Sequence, residues 1–194
     1  MKSVNNMEED KVELPIKAQL FTNRVIVWDP KAGSYLYKNG FFGKPVGIRK
    51  PRVPEFDRPL ELSLLETAYL LQEKKIELFG ENDSLISLED FKHIASTLYD
   101  NFTDKLVVYL DLRRRGYVVR PGLKFGADFA VYEHGPGIDH SPFLVHVTPS
   151  SAKIPPIEMV RAGRLATTVR KKFIIATIKH GREAKYYAFS WFKP

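Results

Sequence analysis

The chain has 194 residues, of which 44% are hydrophobic and 27% are charged, with a net charge of +7. This composition is typical of a globular protein and excludes a disordered or collagen-like chain. The absence of cysteine excludes disulfides and thiolate metal sites. No run of about 18 apolar residues occurs and no apolar signal core opens the sequence, so we expect a cytoplasmic protein without membrane contact.

The positive charge lies in the second half of the chain. Residues 101–194 hold 16 Lys and Arg against 7 Asp and Glu, whereas residues 1–100 hold 14 against 16. A solvated basic surface is one interpretation of this asymmetry. A basic half beside a near-neutral half also fits an anionic partner, most simply a nucleic acid.

The first sixty residues predict short strands followed by a long loop. β-Branched and aromatic residues around a turn signal predict two strands within residues 14–28, and a third strand is predicted over residues 34–38. Residues 43–59 carry four prolines, two glycines and five basic residues, so they favour neither a helix nor a central strand. Loops of this length in compact domains are often functional.

Three helices are predicted in the middle of the chain. A capping-box pattern opens a helix over residues 63–75. A second cap pattern begins at Ser87, and a third helical period covers residues 104–115 before a glycine. We interpret these helices as scaffold and predict two domains, residues 1–102 and 103–194.

The hydrophobic period changes from helix to strand after the third helix. The pattern predicts strands at 117–120, 124–132 and 143–148, a helix at 155–170, and a hairpin of strands at 173–178 and 186–192. Strands that alternate with one crossing helix predict a mixed α/β domain. The fold class that we expect is therefore α/β (mixed α+β), with a small mixed first domain and an α/β second domain.

Three polar side chains of the second domain are candidates for chemistry. Tyr132 closes the strand predicted at 124–132, on the face opposite Phe125, and His140 follows across a Gly/Pro-rich loop. Lys171 follows the predicted helix. Each alone is as readily a packing tyrosine, an idle loop histidine or a helix-end cation. Together they supply a base, an acid and a cation.

That combination suits cleavage of RNA by transesterification. A histidine titrates near neutral pH and can protonate the leaving 5′-oxygen, while a fixed lysine can stabilise the charged phosphorane. Tyrosine has an ordinary pKa of about 10, so it needs a nearby cation to act as a base, and we assign that role to Lys171 as well. No metal or other cofactor is required, because the attacking hydroxyl belongs to the substrate.

Two metal-dependent alternatives remain open at this point. One is a zinc site without standard ligand spacing, formed by His134, His140, His146 and Asp139. The other is a two-metal nuclease, in which Asp128 and Glu158 supply the carboxylate pair.

Four segments of the second half occur in a characteristic order: YLDLRRRGYVVRPGLKFGADFAVY, HSPFLVHV, GRLATTVRKKFIIATI and YYAFSWFKP. Together they resemble the archaeal tRNA-splicing endonuclease (tRNA-intron endonuclease) family, and RVIVWDP and LELSLLETAYLL agree more loosely in the first half. The resemblance implies a nuclease-like α/β catalytic domain. It also implies cleavage of precursor tRNA at bulge-helix-bulge intron junctions, leaving a 2′,3′-cyclic phosphate and a 5′-hydroxyl.

The same resemblance implies a role for each candidate residue. The family's catalytic tyrosine falls on Tyr132 and its histidine falls on His140, not on His134. Its lysine falls on Lys171 and not on the neighbouring Lys172.

RNA contacts are implied at two further places. Arg164, seven positions before the lysine, corresponds to an arginine that pinches a flipped bulge base between two subunits by cation–π stacking. The loop at 43–59 resembles an insertion in one archaeal branch that accepts relaxed bulge substrates. From this loop we expect RNA backbone contacts through Lys44, Arg49, Lys50 and Arg52.

The loop before the last strand departs from the pattern of the family's self-sufficient homotetramers. In those proteins this loop is acidic and docks into a basic groove of a neighbouring subunit. Here residues 179–185 carry one acidic residue and three Lys or Arg. We therefore expect the catalytic chain of an α2β2 heterotetramer with a second, structural subunit. A non-catalytic structural or RNA-binding subunit is the alternative.

Overall fold

The computed structural model describes residues 12–49, 51–168, 171–179 and 183–189, apart from some side chains of the helix at 156–168. The chain divides into two compact units, Met1–Ser87 and Leu88–Pro194. Each unit contains its own β-sheet and helices, which confirms the mixed α/β class. Among the described residues, no helix has the length and apolar character needed to cross a bilayer.

The first unit contains a six-stranded sheet and two helices. Its elements are β1 (Ile16–Phe21), β2 (Arg24–Val27), α1 (Pro30–Lys38), β3 (Lys44–Pro45), β4 (Leu60–Leu62), α2 (Leu64–Gln72), β5 (Ile76–Phe79) and β6 (Leu85–Ile86). The strand order is β3-β4-β2-β1-β5-β6, and only the β1–β5 pair is parallel. The predicted strand pair within residues 14–28 is confirmed as β1 and β2.

The strand predicted at residues 34–38 is wrong, because these residues form the second half of α1. Asp29 caps this helix by accepting a hydrogen bond from the Lys31 amide at 2.9 Å, and Pro30 occupies the first turn. A capping aspartate followed by proline favours a helix start, and here it outweighs the strand propensity of the aromatic residues that follow. The capping box of α2, between Ser63 and Glu66, is confirmed.

The loop at 43–59 is irregular beyond the two-residue edge strand β3, and it is anchored at both ends. The Gly43 amide donates to Oε1 of Glu66 at 3.0 Å, and this buried carboxylate also belongs to the capping box of α2. Near the other end, the Phe56 amide donates to Oγ of Ser34 at 3.0 Å. The exposed side chains of Lys44, Arg49 and Arg52 lie between these two anchors.

The second unit contains a five-stranded sheet and three helices. Its elements are α3 (Leu88–Leu98), α4 (Phe102–Arg114), β7 (Val118–Pro121), a 3-10 turn (Leu123–Phe125), β8 (Phe129–Tyr132), β9 (Phe143–Val147), α5 (Pro156–Thr168), β10 (Lys172–Lys179) and β11 (Glu183–Phe189). The strand order is β11-β10-β9-β8-β7, and only the β9–β10 pair is parallel.

The first part of the strand predicted at 124–132 is wrong. The chain makes a 3-10 turn there, and Gly126 ends that turn with a positive φ of 63°. Side-chain alternation requires a continuous extended backbone, so it does not hold across this turn. As a result, Phe125 packs against the same hydrophobic cluster as Tyr132, instead of lying on the opposite face.

Helices pack on both faces of the second sheet. Tyr109 of α4 contacts the ring of Phe129 with 6.1 Å between centroids. On the other face, Ala162 of α5 packs on a buried cluster that includes Leu144 and Phe173. The second sheet is therefore covered by a helix on each face.

Candidate active site

Three strand ends meet at one edge of the second sheet. Phe143, the first residue of β9, pairs with Val131 of antiparallel β8 and with Lys172 of parallel β10. The end of β8 and the starts of β9 and β10 therefore lie side by side. The three predicted catalytic side chains fall at these ends: Tyr132, His140 and Lys171.

Lys171 is held against the segment that leads into β9. Its Nζ donates to the backbone carbonyl of Ser141 and, at 2.9 Å, to the hydroxyl of the same residue. Ser141 is buried, and the ring of Phe125 lies 5.5 Å from the ammonium nitrogen. Burial lowers the pKa of Lys171, whereas the negative charge of Asp139 raises it. The lysine is thus fixed beside the residue that follows His140.

Tyr132 lies half-buried at the end of β8. Burial raises the pKa of its phenol, the cation Arg120 of neighbouring β7 lowers it, and Asp139 raises it further, with a net upward shift. The cation that acts on this pKa is Arg120, in place of the expected Lys171, whose ammonium is engaged by Ser141. The phenol therefore carries its proton at neutral pH in the absence of substrate.

His140 follows a loop in which three backbone amides donate hydrogen bonds to one carboxylate. Asp139 accepts hydrogen bonds from the backbone amides of Glu133 at 3.0 Å, His134 at 3.2 Å and Gly135 at 2.8 Å. Desolvation raises the pKa of Asp139, but these amides, with the largest effect from Gly135, bring it below its usual range. The imidazole of His140 is exposed, so it can contact a bound ligand.

Asp128, the residue considered for a metal-dependent nuclease, makes ion pairs and a hydrogen bond within the protein. Its Oδ1 lies 3.0 Å from Nζ of Lys105, and its Oδ2 lies 2.9 Å from Nδ1 of His146 and accepts the Val147 amide at 2.8 Å. Desolvation raises the pKa of Asp128, but these partners lower it overall. Asp128 thus joins α4 to β9, while the side chain of Glu158 lies outside the described residues.

Two side chains of the zinc alternative, His146 and Asp139, have other partners. His146 contacts Asp128, and Asp139 accepts the three amides of its own loop. Within the described ranges, no group of three or more His, Asp or Glu residues is placed to hold a metal ion.

The predicted RNA-binding residues are distributed over both units. Lys44, Arg49 and Arg52 are exposed on the loop of the first unit, whereas Lys50 lies outside the described residues. Arg164 is exposed on α5 of the second unit. All four described side chains are accessible to a ligand at the surface of their own unit.

Lys44 shares its environment with an acidic residue. It pairs in register with Glu61 of β4, whose carboxylate accepts two hydrogen bonds from Arg24, at 2.8 and 2.7 Å. The hydrogen bond from Arg24, and to a smaller extent the charge of Lys44, lower the pKa of Glu61. Part of the positive charge of Lys44 is therefore balanced within the protein.

Several residues around the candidate site are not indicated by the sequence. Ser141 and Phe125 surround the lysine ammonium, Arg120 acts on the tyrosine, and the sequence suggested Asp139 only as a zinc ligand. No spacing in the sequence indicates these contacts, because they depend on strand register and on the 3-10 turn before β8.

The structure defines a mixed α/β protein of two units, and the candidate residues Tyr132, His140 and Lys171 lie at one edge of the second sheet. Comparison with known families assigns both units. Residues 16–92 match the N-terminal domain of tRNA intron endonucleases, and residues 102–186 match the catalytic C-terminal domain. The chain belongs to the tRNA intron endonuclease family.

Curated relatives agree with that assignment over almost their full length. A tRNA-splicing endonuclease of Hyperthermus butylicus is 48% identical over 180 residues. Proteins of the same description from Saccharolobus islandicus and Saccharolobus solfataricus are each 38% identical. Each match covers 92% of this chain and 99% of the relative.

Proposed function

We propose that this chain is the catalytic subunit of a tRNA-splicing endonuclease that cleaves precursor tRNA at bulge-helix-bulge junctions without a metal ion. The products are a 2′,3′-cyclic phosphate and a 5′-hydroxyl. One observation carries the proposal: the ammonium of Lys171 is fixed by Ser141 beside His140, at the sheet edge where Tyr132 ends β8. Family membership supports precursor tRNA as the substrate.

Tyr132 acts as the general base in this mechanism. It accepts the proton of the ribose 2′-hydroxyl while the 2′-oxygen forms a bond to the adjacent phosphorus. Because burial raises the pKa of its phenol, only a small fraction is tyrosinate at neutral pH. The rate is therefore expected to rise with pH as long as the general acid keeps its proton.

His140 acts as the general acid. When the bond between phosphorus and the 5′-oxygen breaks, the imidazolium gives its proton to that oxygen, and a 5′-hydroxyl results. An exposed position three residues before the start of β9 suits this role, since the imidazole must reach a phosphate bound outside the sheet edge. The proton taken by the base and the proton given by the acid balance over the reaction.

Lys171 stabilises the negative charge that develops on the phosphorane. A lysine ammonium has three N–H donors, and Ser141 accepts two hydrogen bonds from Lys171. Both of these acceptors belong to one residue within the described part of the chain, and we assign a third donor to a non-bridging phosphate oxygen. A donor that is held in place before the reaction stabilises the transition state without a reorganisation cost.

RNA recognition is assigned to Arg164 and to the loop at 43–59. Arg164 stacks on a flipped bulge base, and the exposed Arg49 and Arg52 contact the RNA backbone. Replacement of Arg164 by alanine should weaken bulge recognition and slow cleavage with little change in the unfolding midpoint. A sharp loss of stability with normal cleavage would instead assign Arg164 to the scaffold.

The active assembly is proposed to be an α2β2 heterotetramer. The basic character of residues 179–185 supports this assignment, because a structural partner then supplies the acidic loop. Size-exclusion chromatography with light scattering on the purified chain, with and without a co-expressed candidate partner, tests it. A homotetramer of this chain with full activity would contradict it.

Cleavage of a bulge-helix-bulge RNA in excess EDTA tests the proposed chemistry. The wild-type chain with its partner should cleave as fast in EDTA as in magnesium, and His140→Ala should bind the RNA but not cleave it. Activity that requires a metal ion would support the alternative based on Asp128. Absence of cleavage by the chain, alone or with candidate partners, would favour the alternative of a structural or RNA-binding subunit.

A further inference from the structure

The loop between Tyr132 and His140 is tied into a closed turn by a single side chain. Both oxygens of Asp139 are used: Oδ2 accepts the amides of Glu133 and His134, and Oδ1 accepts the amide of Gly135 at 2.8 Å. The backbone amide of Asp139 in turn donates to the Gly135 carbonyl at 3.1 Å. Three donors on one carboxylate join the two ends of the loop.

This turn lies between two candidate catalytic groups. Tyr132 immediately precedes the three donating amides, and His140 immediately follows the accepting carboxylate. On the far side, Ser141 is held by Lys171. His140 therefore lies between two residues that are held by hydrogen bonds, Asp139 before it and Ser141 after it.

The charge of Asp139 also acts on the two other candidate groups. It raises the pKa of Lys171, against the larger lowering by burial, and it contributes to the raised pKa of Tyr132. The first effect favours the ammonium form that a phosphorane needs. The second adds to the larger effect of burial, and both favour the neutral phenol.

We propose that Asp139 is a positioning residue of the endonuclease site, whose carboxylate closes residues 133–139 and thereby places the imidazole of His140 relative to Tyr132. The proposal rests on the proposed function. Asp139 touches neither the RNA nor the reacting atoms. Its contribution is to restrict the loop to conformations in which the proton transfer to the 5′-oxygen is possible.

Kinetics of three loop variants test this assignment. With saturating RNA, Asp139→Ala should lower kcat about tenfold or more, with KM and RNA affinity within about twofold of wild type. Asp139→Asn should recover part of the rate, because its amide oxygen still accepts one or two of the three amides. His134→Ala is the matched control, since it removes an exposed side chain but keeps the N–H that Asp139 binds.

Amide hydrogen exchange measured on the same proteins gives a readout that does not depend on activity. Exchange at residues 133–135 should be faster in Asp139→Ala and unchanged in His134→Ala. If exchange is faster but kcat stays within twofold of wild type, the turn is only a structural feature and the proposal is overturned. Absence of cleavage by the wild-type assembly, or full activity of His140→Ala, would overturn the proposed function instead.

Discussion

The ammonium of Lys171 donates to both the carbonyl and the hydroxyl of Ser141, with 2.9 Å to the hydroxyl oxygen. Parallel pairing supports this contact, because the amide of Lys172 donates to the Pro142 carbonyl at 2.9 Å. Residues 30 positions apart in the chain are therefore fixed as neighbours at the sheet edge. The candidate lysine is therefore held by the residue that follows the candidate acid, His140.

Lys171→Ala should lower kcat by about a hundredfold or more, since removal of one preorganised donor to a developing anion typically has this effect. RNA affinity should change little, because a single phosphate contact is lost. Lys172→Ala is the matched control: this side chain is exposed on β10, and its loss should change kcat less than about threefold. Single-turnover cleavage and filter binding measure both quantities. Equal losses in the two variants would contradict the assignment of Lys171.

Ser141→Ala should lower kcat about tenfold. The substitution removes one of two acceptors of Lys171, a hydrogen bond from a charged donor contributes about 1.5 kcal/mol, and about 1.4 kcal/mol corresponds to a tenfold change in rate. Ser150→Ala, on an exposed turn, is the control. Rates of both variants should be compared with saturating RNA. A rate for Ser141→Ala equal to wild type would show that the carbonyl alone holds the lysine.

The ion pair between Asp128 and Lys105 predicts a pH dependence of stability. Both side chains are largely buried, with exposed fractions of 12% and 14%, so Asp128→Asn should lower the free energy of unfolding by about 3 kcal/mol at pH 7. The folded protein lowers the pKa of Asp128, and a carboxyl of this kind contributes stability above its unfolded pKa of about 4. That contribution is lost as the pH falls through the folded pKa.

Urea unfolding of wild type and Asp128→Asn between pH 3 and pH 7 measures this effect. The difference in the free energy of unfolding between the two proteins should be largest near neutral pH and should shrink below about pH 4. Asp57→Asn is the control, because its side chain is 94% exposed. A difference that grows towards low pH would contradict a lowered pKa of Asp128 in the folded protein.

The double variant Arg49→Ala/Arg52→Ala should weaken RNA binding and lower the salt dependence of the binding constant. Each lost phosphate contact is expected to reduce the slope of log K against log salt by about 1. The effect should be larger for RNA with relaxed or displaced bulges. Lys92→Ala removes a half-buried cation that pairs with Glu89 on α3 and serves as the control. An unchanged slope would contradict RNA contact by this loop.

Much of the second unit follows from the sequence because its patterns are local. The strands near residues 117–120 and 143–148, the helix of α5 and the final hairpin agree with the structure within a few residues. The part of that hairpin at residues 180–182 and the predicted strand end at 190–192 lie outside the described residues. The 3-10 turn before β8 does not follow from the pattern, because one glycine with a positive φ interrupts an apparently continuous alternation.

The side-chain contacts of the candidate site are harder to predict from the sequence than the fold is. Residue type and loop placement indicate Tyr132, His140 and Lys171 as candidates, but a contact such as that of Lys171 with Ser141 depends on the register of β9 and β10. The same holds for Asp139, because a carboxylate in a Gly/Pro loop has no spacing that distinguishes a turn-closing residue from a ligand. Such roles become visible only when backbone donors converge on the side chain.

The most direct test of the proposed chemistry replaces the ribose 2′-hydroxyl at the cleavage site with hydrogen. The wild-type assembly in excess EDTA should cleave the all-ribose bulge-helix-bulge RNA to a 2′,3′-cyclic phosphate and a 5′-hydroxyl. It should leave the matched RNA with one 2′-deoxynucleotide intact, although binding is unchanged. Cleavage of the 2′-deoxy substrate, or products with a 5′-phosphate, would contradict transesterification by Tyr132, His140 and Lys171.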